Sequence, residues 1–342
     1  MLKSARDLFI NPIQHQKQIF IYLFSSVLFI FVPQLPPSDW KLNTIGLFEN
    51  FLSVYQNPNY VYPPWALIPL CLYRLIGSEG ARILSVITIG LLCQQKRWSL
   101  FRFFTIVLSP FFLVTMTKSN IDILSYVLPV VIWEKFQQPS RYQFLMQVLA
   151  IYILLIKPQG ALLLLPFLLI AYRVPIKRIF LLGIVILILT VPISLISQPP
   201  FLFQWLENIL NPSPQNKFYW GLNNISITSK SYAIEGILVI VALVMILFFL
   251  AKKGILTWSK DHWISSLLFL SMVFSPYTSQ QSLSSSLAFI PSWFSFLYQL
   301  IIVLVLSGTD FYFNYLSFLI LSIFIISLIT FKADKRSHEE EQ

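Results

Sequence analysis

Four stretches of this chain hold no charged side chain: IFIYLFSSVLFIFV (19–32), IFLLGIVILILTVPISLI (179–196), GILVIVALVMILFFLA (236–251) and YLSFLILSIFIISLITF (315–331). Apolar runs of this length have no polar face to give to water. In lipid they need only satisfy their own backbone groups, and at this composition an α-helix does so within one segment. Charged residues make up 11% of the sequence, against roughly 25% in a soluble domain. The expected fold class is therefore all-α, a polytopic transmembrane helical protein of about 11–12 helices.

The N-terminal MLKSARDLFINPIQHQKQ has neither an immediate apolar core nor a small-residue cleavage site, so the first apolar run reads as a retained helix rather than a signal peptide. Cys71 and Cys93 lie in apolar segments with no partner spacing and read as packing residues. No HExxH, CxxC, GxGxxG or P-loop pattern occurs, and His15, His262 and His338 fall in segments expected in the cytoplasm or the tail, so neither a metal nor a cofactor is expected. The net charge of +10 is spread over loop lysines and arginines. That suits orientation in a membrane better than contact with nucleic acid, and no nucleic-acid partner is expected.

Lys3, Arg6 and Lys17 place the N-terminus in the cytoplasm by the positive-inside rule. If residues 64–76 lie along the outer interface and 79–95 span, fourteen basic residues fall inside and seven outside or at outer helix ends; if both segments span, most basic clusters land outside. The first arrangement is the expected one. Helices then cover 19–35, 79–95, 103–117, 121–133, 142–157, 160–172, 179–196, 236–251 and 263–276, with two or three more to the end. Residues 1–331 form one integral membrane domain, with external loops at 36–78 and 197–235 and a disordered tail at 332–342. The expected location is the plasma membrane, with functional residues on the extracytoplasmic face.

That face collects the unusual side chains. Ile45, Phe48, Leu52 and Tyr55 repeat at helical spacing, as an interfacial helix requires. Asp39 follows two prolines, and on residue chemistry alone it reads first as a helix cap and second as a proton acceptor. In NPNYVYPPW (57–65), Tyr60, Tyr62 and Trp65 suit interface anchors or sugar-stacking walls, while Pro63 and Pro64 stop any helix from running through. Lys157 and Gln159 in IKPQG sit among apolar residues, and a lysine there points to function by default. Lys118, Asn120 and Asp122 occupy MTKSNIDIL, where Asp122 stands four positions after Lys118 and could pair with it. The second loop adds the amides Asn223 and Asn224 beside Tyr219 and Trp220.

In order along the chain come an Asp after the first helix, a surface helix, YVYPP, a short polar stretch before a helix, KPQG, NNIS in a late external loop, and SPYTSQQ. Over about residues 15–300 this series resembles the GT-C glycosyltransferases that use polyprenyl-phosphate sugars, the bacterial branch with phosphatidylinositol-mannoside mannosyltransferases in particular. The resemblance implies a cavity open to the outer leaflet, a polyprenyl-phosphate sugar donor, a lipid or glycan acceptor and inverting transfer of a mannose-like hexose. It implies Asp39 as general base, which reverses the order reached from residue chemistry. Lys157, helped by Lys118 or Arg74, would neutralise the donor phosphate. Tyr60, Tyr62, Asn120, Asp122, Gln159, Asn223, Asn224 and Gln280 would hold the substrates. The polar stretch reads KSNID where that group often has Gly-Gln-x-Asn, and SPYTSQQ lacks the group's late His, with Gln280 the nearest substitute. No second carboxylate stands beside Asp39 as a DxD metal site would require, so metal independence is expected.

Two other classes compete. A transporter or lipid-carrier flippase calls for mid-membrane charges, broken helices in both halves and internal repeats; no repeat is visible, and the polar residues cluster on one face. A non-catalytic assembly partner is the third.

Overall fold

The computed structural model describes residues 16–34, 51–56, 60, 62–137, 140–210, 259–273, 283–306 and 324–327, with isolated positions 245, 249 and 253. These are mostly helical and contain no strand. Helix α1 covers Gln16–Phe31. Short 3₁₀ turns at Phe51–Gln56 and Pro64–Ala66 then lead into α2, Leu67–Gln95. Pro63 is extended and Pro64 opens the second turn, so the proline pair ends one path of the chain and starts the next.

Helix α2 breaks at Gly77, whose φ of 76° and ψ of 171° suit only glycine. The break separates 67–76 from 78–95. After it come α3, Leu100–Val107, and α4, Pro110–Thr117, bent by 56° where the sequence predicts one helix over 103–117. The reason is local. Pro110 has no N–H to continue α3, and the Ser109 hydroxyl accepts from the Phe112 N–H to begin a new helix.

A π-helical turn, Ile123–Val127, runs into α5, Leu128–Lys135. There follow α6 (Gln143–Leu154), α7 (Pro158–Ala171), α8 (Ile176–Ser194), α9 (Phe201–Leu210), α10 (Lys260–Val273), α11 (Leu283–Leu287) and α12 (Trp293–Leu306). Among the described residues two stretches, Pro64–Gln95 and Ile176–Ser194, are long and apolar enough to cross a membrane, and α3 with α4 makes a third if the bent pair counts as one span. This is fewer than the eleven or twelve spanning helices expected. Two of the expected spans, α6 and α7, are apolar but have only 12 and 14 residues, below the roughly 20 that cross a hydrocarbon core; the expected helix 236–251 and those after residue 306 lie largely outside the described residues.

Two buried clusters hold these elements. The larger joins α1 through α8 with α10 and α11, and has Trp133, Tyr126, Phe103 and Phe112 among its largest side chains. Tyr22 of α1 lies on Gly90 of α2, where an added Cβ would stand 2.9 Å from the ring. The smaller cluster gathers Val54, Tyr55, Tyr60, Tyr62, Leu67, Leu70, Tyr73, Leu124, Ile156, Ile193 and Phe201. Cys71 and Cys93 are free thiols.

At the end of the molecule away from the smaller cluster, the ammonium of Lys96 lies between Glu134 of α5, 2.8 Å away, and Asp261 of α10. The Tyr172 hydroxyl donates to Glu134 at 2.7 Å, and Lys260 stands 4.1 Å over the Tyr172 ring. Burial works against the Lys96 ammonium, but the Asp261 and Glu134 carboxylates outweigh it and hold its pKa above the usual value.

Candidate functional site

The smaller cluster encloses a buried ion pair. Asp122 stands at the head of the π-helical turn with no exposed surface, and the ammonium of Lys157 bonds its carboxylate. Local sequence sets both positions. Asn120 accepts from the Asp122 N–H at 2.8 Å, a two-residue turn natural to Asn, and so aims the carboxylate. Lys157 precedes Pro158, which keeps it out of the helical region (φ −122°, ψ 82°), between the end of α6 and the start of α7. The lysine is thus lifted out of both helices and reaches across to the turn.

The rest of KPQG fits the same contact. A Cβ on Gly160 would fall 2.1 Å from Cε1 of Tyr126, so only glycine allows α7 to meet the π-helical turn this closely. Tyr126 is itself 1% exposed. Above the pair, the Tyr62 ring lies 5.8 Å from the Lys157 ammonium, within cation–π range.

The aromatics of NPNYVYPPW are the lining of this group rather than exposed anchors. Tyr60 and Tyr62 are 4% and 7% exposed. Tyr60 meets Tyr55 edge-on at 5.2 Å and Tyr62 at 6.0 Å, and the Tyr55 hydroxyl donates to the Tyr62 carbonyl at 2.8 Å. Trp65 donates to the Leu155 carbonyl at 2.8 Å, and Tyr152 donates to the Trp65 carbonyl at 2.9 Å, which ties the loop to the end of α6 beside Lys157. Asn208 of α9 donates to the carbonyls of Tyr55 and Tyr60, so α9 closes over the loop. The Tyr60 hydroxyl is buried and has no hydrogen-bond partner among the described residues.

Of the residues expected to form a site, Lys157, Asp122, Asn120, Tyr60 and Tyr62 are brought together. Lys118 is half-buried and ends α4; Ser119 follows with φ 50°, so Lys118 and Asp122 do not share a helical face and the carboxylate is bonded to Lys157 instead. Arg74 is exposed on the first part of α2. Asp39, Asn223, Asn224 and Gln280 lie outside the described residues, as does the side chain of Gln159.

One charged residue of this layer was not singled out in the sequence. Arg82 is 3% exposed; its Nε donates to the Ser119 hydroxyl at 3.1 Å and its Nη1 to the Val32 carbonyl, with Glu79 at 3.9 Å. It pins the left-handed Ser119 and hence the loop that presents Asp122. The signal was present in ARILSVITIG, a lone cation in an apolar run. Among the described residues no cluster of three or more His, Cys, Asp or Glu is assembled. No family model, curated protein or solved structure matches the chain.

Proposed function

We propose that this chain is an inverting membrane glycosyltransferase of the GT-C type, moving a mannose-like hexose from a polyprenyl-phosphate donor to a lipid or glycan acceptor at the extracytoplasmic face of the plasma membrane. The observation that carries the reading is the buried Lys157–Asp122 pair beneath Tyr62, because charges held inside an apolar bundle are costly and are kept where they act. A π-helical turn at the same point adds support, since such turns gather at functional sites.

In this reading the acceptor hydroxyl oxygen attacks C1 of the donor sugar. The bond from C1 to the phosphate oxygen breaks, and polyprenyl phosphate leaves. The proton of the acceptor passes to the Asp39 carboxylate. Lys157 keeps one N–H on Asp122, turns another to the phosphate and stabilises the charge that develops on it. The Tyr60 hydroxyl offers a donor to the sugar. The test is release of carrier from a radiolabelled polyprenyl-phosphate hexose by wild-type protein, Asp39→Asn and Lys157→Met. Asn caps a helix about as well as Asp, so Asp39→Asn keeps its thermal midpoint and donor binding while transfer falls by roughly a hundred- to ten-thousand-fold. Lys157→Met raises the donor KM. No carrier release by wild type ends the proposal, and an Asp39→Asn variant that keeps more than about a tenth of the wild-type rate ends the base assignment.

A transporter or lipid-carrier flippase is the second reading. It is favoured by the bend between α3 and α4 and by the interruption at Pro291 between α11 and α12. Donor lipid crossing a vesicle bilayer without carrier release would select it.

A further inference from the structure

A second polar group lies away from the Lys157 layer and is independent of it. Thr105 and Ser109, at the bend between α3 and α4, face Ser284 of α11 and Ser292, Ser295 and Gln299 around the start of α12 across a cavity of about 20 Å³. A single water needs roughly 10–15 Å³ on this scale, so there is room for one hydroxyl-sized group. Gln299 is 3% exposed. Its Nε2 donates to the Ser295 hydroxyl at 3.2 Å, while its Oε1 accepts nothing among the described residues.

The chemistry of the wall selects the occupant. Among the described residues no charged side chain lines the cavity, which favours a neutral ligand. A buried amide oxygen calls for a donor, and serine hydroxyls beside it can donate in return. One group that gives a proton to Oε1 and accepts from a serine is a hydroxyl. On the outer edge, Phe101 and Trp293 meet at 5.4 Å, and Phe294 beyond them is 65% exposed. The cavity therefore adjoins an apolar, aromatic surface of the kind that faces lipid.

We propose that this cavity is a hydroxyl-binding site anchored on Gln299 Oε1, filled either by water or by the alcohol of a neutral lipid. Radiolytic hydroxyl footprinting of the full chain in phosphatidylcholine nanodiscs tests it, because aromatic rings beside bound hydroxyls are oxidised and dry ones are spared. Phe296 lines the cavity, and Phe180 of α8, 72% exposed on an apolar face, is the dry control. Phe296 is oxidised well above Phe180 in wild type. Gln299→Met removes the acceptor and lowers Phe296 oxidation by about fivefold, the change in occupancy that one hydrogen bond of about 1 kcal/mol supports. Gln299→Asn, which withdraws the oxygen by one carbon and keeps the amide, lowers it as well and serves if the Met variant does not fold. Nanodiscs with added dioleoylglycerol assign the source: protection of Phe296 identifies the lipid alcohol, and unchanged oxidation identifies water. Phe296 oxidation no greater than that of Phe180, or unaltered in both variants, overturns the site.

Discussion

Lys157 and Asp122 illustrate how a residue's role depends on what surrounds it. Each alone would be a heavy burden in an apolar interior; removing one partner of such a pair leaves the other charge uncompensated, at a cost of about 3–5 kcal/mol. Gly160 makes their meeting possible. Its missing Cβ lets Tyr126 close beneath the first turn of α7, and the nearest ring atom would stand 2.1 Å from any methyl placed there. Gly160→Ala therefore overpacks this contact, which costs about 1–3 kcal/mol, and moves Lys157 away from Asp122. The expected result is a lower thermal midpoint, with recovery when Tyr126→Leu is added. Failure of the second substitution to recover stability would place the strain elsewhere. KPQG could be read as unusual from the sequence, but the ring that needs the glycine stands more than thirty positions earlier and only folding brings it near.

At the scale of elements, breaks matter as much as helices. Gly77 occupies a backbone region open only to glycine, while the space around it is free: the nearest atom to an added Cβ is a Glu79 carboxylate oxygen at 3.4 Å. Gly77→Ala therefore isolates backbone strain, worth about 1–3 kcal/mol, and thermal unfolding should show a loss of that size without repacking of neighbours. A null effect would mean that 67–76 and 78–95 can join as one straight helix. Lys96 tests how four elements are held together at the opposite end. Lys96→Met strips the counter-charge from Glu134 and Asp261, which are 8% and 17% exposed, and about 3–5 kcal/mol of stability should be lost. Because the folded state holds the Lys96 pKa above its unfolded value, its contribution is complete below the unfolded value and declines only as pH rises through the folded one. Wild type should thus show no Lys96-dependent loss between neutral and mildly alkaline pH, and a midpoint falling across that range would assign the cluster a different role.

For the whole molecule, the basic loops predict an orientation that can be measured directly. With Cys71 and Cys93 replaced, single cysteines at Ser99 and Asn57 should react oppositely with an impermeant maleimide in intact cells, Asn57→Cys labelling and Ser99→Cys remaining dark. Labelling of Ser99→Cys from outside reverses the orientation and puts the Lys157 layer on the cytoplasmic side. The Lys157 group and the Lys96 group lie at opposite ends of α5 and α7, since Asp122 and Lys157 precede these helices while Glu134 and Tyr172 close them. One labelling result therefore orients both.

The sequence by itself determined the helical class and the unusual standing of Lys157, Asp122 and the tyrosines, because apolar runs, prolines and isolated charges act through their immediate neighbours. It read Lys118 and Asp122 as a possible pair from their spacing, which holds only along an unbroken helix; the left-handed Ser119 removes that condition. It read Tyr60 and Tyr62 as interface anchors or sugar-stacking walls, and nothing local reveals that α9 folds back over them. The burial of Arg82 and the partner of Lys157 were decided by tertiary structure. Each depends on groups that are distant in the chain, and in an apolar interior a polar group takes whichever partner folding brings within reach, since leaving it without one costs more than any local preference is worth.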